Sequence, residues 1–488
     1  MVPGAKLFAK GNQQLMALPH DVDVVRMLYN FGVHVPSPIA YYYGWAGNKP
    51  FDSQIRTASL LSVHRRAFVL NEMGTGKTRA ALFAYDYLRS IGKASKVLIV
   101  APLSTLVSVW EQEVFENLFH LQTAVLHGDK KRRLKLLAGP ADCYVINHEG
   151  VAVIRDELAK RPDIDTIIVD ELAVYRNARS NRWKALAPLV AKAKYAWGLT
   201  GSPTPNEPTD AYGQIKLLTP TNVSYSFKAF RDETMRQITA FRWIARDDAN
   251  DIVYHRMQPS IRVTRAECFD LPPVTYSARD IPMDPRAAAA YKEMFDKLAT
   301  TVGAVVAANE GVKLSKLLQL SAGFIYKNDG KATYVGGLAR IREVFDIVEE
   351  ATGKVIVFAP FKFLVELYAK ALAKKYETRM IHGEVAKSER DKTFVEFQRG
   401  TSVRVLVAHP QTMAHGLTLT AANTIVWAAP TMSLEIYEQA NARITRPGQK
   451  DHAHIIHIQS SKAEQQVYAR LRKKAKMQGA LLELFADG

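Results

Sequence analysis

Gly74-Thr75-Gly76-Lys77-Thr78 is a run whose residue types suit the holding of phosphate. Glycines let backbone N–H groups close on an anion, a lysine adds a point charge, and a threonine hydroxyl at a helix start can ligate magnesium. The general pattern has a further glycine where this chain has Asn71. An ordinary glycine turn after a strand is the plain alternative. Asp170-Glu171 is a second candidate: one carboxylate can hold magnesium opposite Thr78 while the other orients and deprotonates an attacking water. Such a pair also caps helices, so it gains meaning from the loop upstream. Gln54 can offer its amide to both edges of an adenine ring, with Phe51 as a stacking partner. Gln439, Arg443 and Arg446 follow at spacings of four and three, expected on one helix face, where arginines can neutralise charge on a transferring phosphoryl group. The alternative there is a solvated basic face.

These residues need a frame. The apolar run from Ala67 to Leu70 reads as a buried strand and Thr78 to Ser90 as the helix after it, so the glycine run lies at a strand-to-helix turn. Val97 to Pro102, Tyr144 to Gly150, Thr166 to Glu171 and Tyr195 to Pro203 read as further strands, with an amphipathic helix from Ser104 to Leu118. Continuous apolar strands between helices are the pattern of a parallel α/β sheet, which places Asp170-Glu171 at a C-terminal strand end, where ligands bind. A second αβ alternation begins at Lys354 and contains no phosphate loop. The expected organisation is an unassigned N-terminal segment (1–48), a first lobe (49–220), a mostly helical connector (221–350), a second lobe (351–460) and a C-terminal helix (461–488). Near the start, Asp21 to Gly32 reads as a capped helix. Tyr41, Tyr42, Tyr43 and Trp45 read as core or as a stacking surface.

Composition bounds the partners. The 488-residue chain has a formal net charge of +17 and a pI near 9.6, which points to a polyanion but does not choose between DNA and RNA. Its 2 cysteines, Cys143 and Cys268, lie far apart, which excludes a disulfide framework or a cysteine-rich zinc site. No run approaches the ~18 apolar residues of a membrane span, so no membrane partner is expected. A reducing cytoplasm fits.

From Phe51 to Ser460 the ordered blocks resemble superfamily 2 helicases, and within them the Swi/Snf-like DNA translocases. NEMGTGKT resembles the family's DEMGLGKT, VLIVAPLSTLVSVWEQEV the block after it, TGSPTPNEP the TGTPIQN block and GLTLTAANTIV the GLNLTAADTVI block. QANARITRPGQK is similar to QAxDRxxRxGQ, and PSIRVTRAECFDLPPV to the LRR...LPP segment between the lobes. The resemblance implies two RecA-like parallel-sheet lobes of the P-loop NTPase type, ATP and Mg2+ as cofactors, and DNA, duplex foremost, as partner. It implies ATP binding by Gln54, Met73, Gly74, Thr75, Gly76, Lys77, Thr78 and Gln439, metal binding by Thr78 and Asp170, and catalysis by Lys77, Asp170, Glu171, Arg443 and Arg446. Thr105, Asn147, His382 and Thr418 fall in blocks where the family contacts nucleic acid.

Two departures stand out. Asp170-Glu171-Leu172-Ala173 replaces the family's DEAH, removing the histidine that links nucleotide to the other lobe. Met413-Ala414-His415 replaces the glycine pair before the GLNLT block. The resemblance implies a DNA-stimulated ATPase that moves along duplex DNA and remodels or unwinds it. An RNA-dependent helicase on the same fold and a non-catalytic basic DNA-binding scaffold or inhibitor are the alternatives. The chain has no appended zinc, bromodomain-like or long charged module, which fits compact bacterial or phage-encoded members.

Overall fold

The computed structural model describes residues 4–10, 13–45, 47–239, 242–300, 310–327, 329–413 and 418–486. They divide into two units, Met1–Cys268 with Gln478–Gly488, and Phe269–Met477.

The first unit is built on a seven-stranded, all-parallel sheet. Across it the strands run Ser260–Ile261, Arg66–Val69, Tyr195–Leu199, Ile164–Val169, Lys96–Ala101, Cys143–Asn147 and Thr123–Val125. Alternate side chains go to opposite faces, as the strand period of two requires. Phe68, Leu98, Val100, Ile167 and Val169 join one core, while Ala67, Val69, Val97, Ile99 and Ile168 join the other. The helix after the glycine loop spans Lys77–Ser90. Asp21 caps the Val22–Asn30 helix through the N–H groups of Asp23 and Val24. The aromatic cluster divides: Tyr43 and Trp45 pack edge-on against Phe83, whereas Tyr41 and Tyr42 are exposed.

The stretch read as one amphipathic helix from Ser104 to Leu118 is a composite. It runs as a 3-10 turn at Leu103–Thr105, a π-helical stretch at Leu106–Glu111 and an α-helix at Gln112–Asn117. A π turn re-aims the side chains on it, and such turns concentrate at functional sites. Here it contains Trp110, fully buried against the sheet.

The span 221–350 includes helices at Phe227–Thr234, Ala249–Arg256, Pro285–Thr300 and Leu338–Glu350. It also gives a strand to each sheet. Ser260–Ile261 is the outermost strand of the first, and Val274–Asp280 is an edge strand of the second. The second unit's six-stranded parallel sheet runs Val274–Asp280, Ala453–Gln459, Ala422–Trp427, Lys354–Phe358, Val405–Ala408 and Thr378–Ile381. Within it Arg340 and Glu464 form a buried ion pair at 2.8 Å, and Arg340 also donates to Ala428 O at 2.6 Å. A buried pair tolerates desolvation only with such additional bonds. The final helix, Lys462–Ala486, ends with Leu481, Leu482 and Phe485 in a core of the first unit.

Leu172, the first departure from DEAH, is fully buried in that core. A methyl group on Gly198 would come within 2.5 Å of Leu172 Cδ2 and 2.7 Å of Leu218 Cδ1, so a glycine in the strand makes room for the leucine. Position 172 has therefore been turned over to packing. Leu172→Ala is expected to destabilise the first unit by about 2–5 kcal/mol, read as a lowered urea midpoint of its tryptophan fluorescence; an unchanged midpoint would contradict the packing role.

Candidate functional site

Three adjacent parallel strands, Arg66–Val69, Tyr195–Leu199 and Ile164–Val169, end on the same side of the first sheet. Their C-terminal ends therefore deliver the glycine loop, Thr200–Ser202 and Asp170-Glu171 side by side, at the position where open α/β sheets hold ligands.

The loop is shaped by its glycines. Gly74 and Gly76 take φ +88 and +78, left-handed values that a side chain strongly disfavours. At Gly76 space forbids a side chain as well, since a Cβ would lie 2.1 Å from Gln54 Nε2. Gln54 is buried, accepts from Phe51 N at 2.9 Å and donates to Gly76 O at 3.4 Å, so the amide expected to read adenine is braced against the phosphate loop. Asn71, where the general pattern has glycine, donates to Thr57 Oγ1 at 2.9 Å and ties the start of the loop to the Asp52–Val63 helix. Thr75 Oγ1 donates to Glu72 O at 2.8 Å. Met73 lies beside Gly201, whose Cβ would approach its Cγ to 3.7 Å. Thr78 is in the first turn of the loop helix.

Lys77 Nζ donates to Asn71 O at 2.7 Å and Glu72 O at 3.1 Å. Burial pulls its ammonium down to about 8, against the opposing charges of Glu171 and Asp170, which places both carboxylates in its electrostatic reach. Asp170 is fixed from two sides: Oδ2 accepts from Trp110 Nε1 at 3.0 Å and Oδ1 from Glu171 N at 3.0 Å. Burial raises its carboxyl above the usual range, opposed by the Trp110 hydrogen bond and the Lys77 charge. Glu171 has φ 49 and ψ 54, the one non-glycine residue with positive φ among the described residues. Such backbone strain costs about 1–3 kcal/mol and collects at functional sites.

Sequence reasoning missed four residues here. Trp110 carries no local signal, because its contact with Asp170 spans 60 positions. Glu72 is held by Arg262 Nη2 at 2.9 Å and by Arg265 Nε and N, both at 3.1 Å. The backbone around them continues the strand pairing, with Leu70 N donating to Ile261 O and Glu72 N to Val263 O. Burial acts to raise the Glu72 carboxyl, but Arg265 and Arg262 outweigh it and hold the group below its ordinary value. The loop is thus anchored at its acidic residue by a segment almost 200 positions downstream.

Gln439, Arg443 and Arg446 do not share a helix. The helix Leu434–Asn441 ends before either arginine, and both lie in the turns that follow. Pro447 disfavours helical backbone at Arg446, and Gly448 turns the chain with φ +98. Arg443 is buried, its Nε donating to Gln439 O at 2.9 Å, and buried Gln439 donates to Glu435 at 3.3 Å. Arg446 is partly exposed, with Nε on Ala442 O at 3.1 Å and Nη1 3.4 Å from Thr418 Oγ1. These residues belong to the second unit, whereas Lys77 and the carboxylates belong to the first.

Of the residues expected at nucleic acid, Thr105, Asn147 and His382 are buried and Thr418 is exposed. Thr105 Oγ1 donates to Pro102 O, Asn147 Oδ1 accepts from Arg133, and His382 Nδ1 accepts from Glu384 N at 3.4 Å. Met413 is buried; Ala414, His415, Gly416 and Leu417 lie outside the described residues. Among the described residues no cluster of three or more His, Cys, Asp or Glu could hold a metal, and no helix is long and apolar enough to cross a membrane.

The SNF2-related domain family matches residues 57–327, more than half of the chain, and the helicase conserved C-terminal domain matches residues 338–448. A phage protein designated p41, of Acyrthosiphon pisum secondary endosymbiont phage 1, is 27% identical over 454 residues, covering 86% of this chain and 95% of that protein. The human DNA annealing helicase and endonuclease ZRANB3 is 25% identical over 435 residues, 86% of this chain but 39% of its own length. The chain likewise spans 42% of the Xenopus laevis SWI/SNF-related matrix-associated actin-dependent regulator of chromatin subfamily A-like protein 1, at 24% identity. Among solved structures, the Sulfolobus solfataricus SWI2/SNF2 ATPase core in complex with dsDNA aligns with a TM-score of 0.43 and 22% identity, over 91% of this chain and 94% of that one. With two parallel α/β sheets, one bearing the phosphate loop and its paired carboxylates, and with both domain matches in order, the chain belongs to the SNF2-related family of helicase-type, nucleic-acid-dependent ATPases.

Proposed function

We propose that the chain hydrolyses ATP in response to duplex DNA and uses the cycle to move along it, remodelling or unwinding it. The observation that supports this most is the placement of Lys77, Asp170 and Glu171 at the ends of neighbouring parallel strands in a chain of this family.

In this reading the N–H groups of residues 74–78 and the Lys77 ammonium hold the β- and γ-phosphates, and Gln54 with Met73 fixes the base end. Thr78 and Asp170 suit a magnesium ion: they are a hydroxyl at a helix start and a carboxylate at a strand end, the small oxygen set that this ion shares with phosphates and water. Magnesium, when bound, supplies charge neutralisation at the phosphates. Glu171, held out of the sheet by its left-handed backbone, accepts the proton of the attacking water. Trp110 keeps the Asp170 carboxylate aimed, and Glu72 with Arg262 and Arg265 keeps the loop in register. Arg443 and Arg446, with Gln439, are assigned to charge neutralisation during phosphoryl transfer. Thr105, Asn147, His382 and Thr418 are assigned to the nucleic-acid side. A cytoplasmic bacterial or phage-infected host setting and a monomeric state belong to the same proposal.

Steady-state ATPase with duplex DNA, RNA or neither tests it. Stimulation by duplex DNA is expected, with kcat falling at least ~10²-fold in Lys77→Ala and in Glu171→Gln; a rate indifferent to DNA, or preferring RNA, would overturn it. Arg446→Ala is the cleaner arginine test, because Arg443 is fully enclosed and its loss also disturbs packing. It should lower kcat by ~10-fold or more with little change in KM, and an equal loss in nucleotide affinity would remove the phosphoryl role.

Lys77 also predicts a pH dependence. Phosphate binds the protonated amine, so binding takes up a proton wherever the free group has lost one. With the free group near 8, affinity for a fluorescent ATP analogue should be flat below that pH and weaken above it, approaching about tenfold per unit. Lys77→Arg should erase the break, since guanidinium stays charged. An identical break in that variant would assign it elsewhere.

A further inference from the structure

We infer that the β-hairpin formed by Met235–Thr239 and Arg242–Ala245, in the first unit, is a grip for the phosphate backbone of duplex DNA. The inference rests on reading the chain as a DNA-using ATPase and names a surface that neither the phosphate loop nor the helicase blocks include.

The hairpin's register sorts its side chains. Arg236 stands opposite Ile244, while Gln237 stands opposite Trp243 and Met235 opposite Ala245, with an irregularity between Arg242 and Trp243. Directly opposed residues share a face and alternate residues of one strand share a face. Met235, Gln237, Trp243 and Ala245 therefore form one face. Met235 is buried, and Trp243 lies under the Arg231 guanidinium at 4.0 Å, so this face is the hairpin's attachment to the protein. Arg236, Ile238 and Ile244 form the other; Arg242, opposite Thr239 across the irregularity, joins it by alternation with Trp243 on its own strand, and Arg246 continues that alternation. All three of these arginines are exposed.

Charge on this outer face is one-sided. From Met235 to Arg246 the sequence holds three arginines and no acidic residue. Arg246 lies 3.6 Å from Asp248, whereas Arg236 and Arg242 have no ion-pair partner among the described residues. An edge kept soluble by charge alone needs only scattered charges of either sign. Guanidinium forks repeated on one face of an arm instead match a row of phosphates.

The dimensions agree. At about 3.3 Å per residue, Arg242 and Arg246 are roughly 13 Å apart along the strand. The major groove of B-form DNA admits a two-stranded ribbon lying along it, so arginines spaced along the arm can meet separate phosphates of the groove wall. Such contacts register the protein on the duplex without reading bases. They also add to the general charge of the chain a defined site whose removal has a measurable salt signature.

Direct binding of a fluorescein-labelled 30-base-pair duplex, followed by anisotropy across a salt series without nucleotide, tests this apart from hydrolysis. In the triple variant Arg236→Ala, Arg242→Ala, Arg246→Ala, affinity should fall about tenfold or more. The slope of log K against log salt should shrink by about 2–3, near 0.9 per lost phosphate contact. The corresponding triple lysine variant should keep most of the slope, because point charges still meet phosphates. Arg242→Glu alone should weaken binding in the same direction, and an unaltered far-UV spectrum and thermal midpoint would show that the fold is intact in each variant. Wild-type affinity and slope in the alanine variant, or no duplex binding by the wild type, would overturn the inference. Duplex binding lost in the alanine variant, alongside a wild-type ATPase indifferent to DNA, would uphold the grip and sink the proposed function.

Discussion

The candidate site depends on keeping one ammonium ion charged in a place that disfavours charge. Lys77 is drawn in among the carbonyls of its own loop, and burial there works against its proton. The carboxylates of Asp170 and Glu171 oppose that effect. Asp170 is in turn driven toward its neutral form by burial and held back by Lys77 and Trp110. Cation and anion stabilise each other's ionised forms, so neither half of the site is electrostatically complete alone.

That balance sets the demands on the scaffold. Strands released side by side from a parallel sheet bring the loop and the carboxylates together, but a glycine-rich loop has little shape of its own. Three external braces supply it. Gln54 presses on Gly76, Asn71 binds Thr57, and Glu72 is seized by Arg262 and Arg265. The last brace comes from the chain leaving the first unit, which lays a short strand beside the loop's own strand before it departs. Loop geometry is therefore tied to the backbone that leads into the second unit.

The replacement of DEAH by Asp170-Glu171-Leu172-Ala173 follows a different logic. In this chain position 172 fills the core opposite Gly198 and the acidic pair keeps its strained exit from the sheet. Packing and chemistry have been assigned to successive residues of one turn. Arg443 shows the same economy in the second unit, its guanidinium enclosed and bonded to the carbonyl of Gln439.

By itself the sequence determined the alternating α/β order, the glycine loop between strand and helix, and the acidic pair at a strand end, because these are patterns of neighbouring residues governed by local backbone sterics and side-chain periodicity. Periodicity misjudged the stretch after Ala101, where a π turn serves Trp110, and the arginine row, where the helix ends at Asn441 and the chain turns before either arginine. Both errors came from treating a helical spacing as sufficient evidence of one continuous α-helix. Tertiary structure alone decided that Trp110 aims Asp170, that Arg262 and Arg265 hold Glu72, and that Arg236, Arg242 and Arg246 share the outer face of a hairpin. Those pairings join residues far apart in the chain or depend on strand register, and no local pattern encodes either.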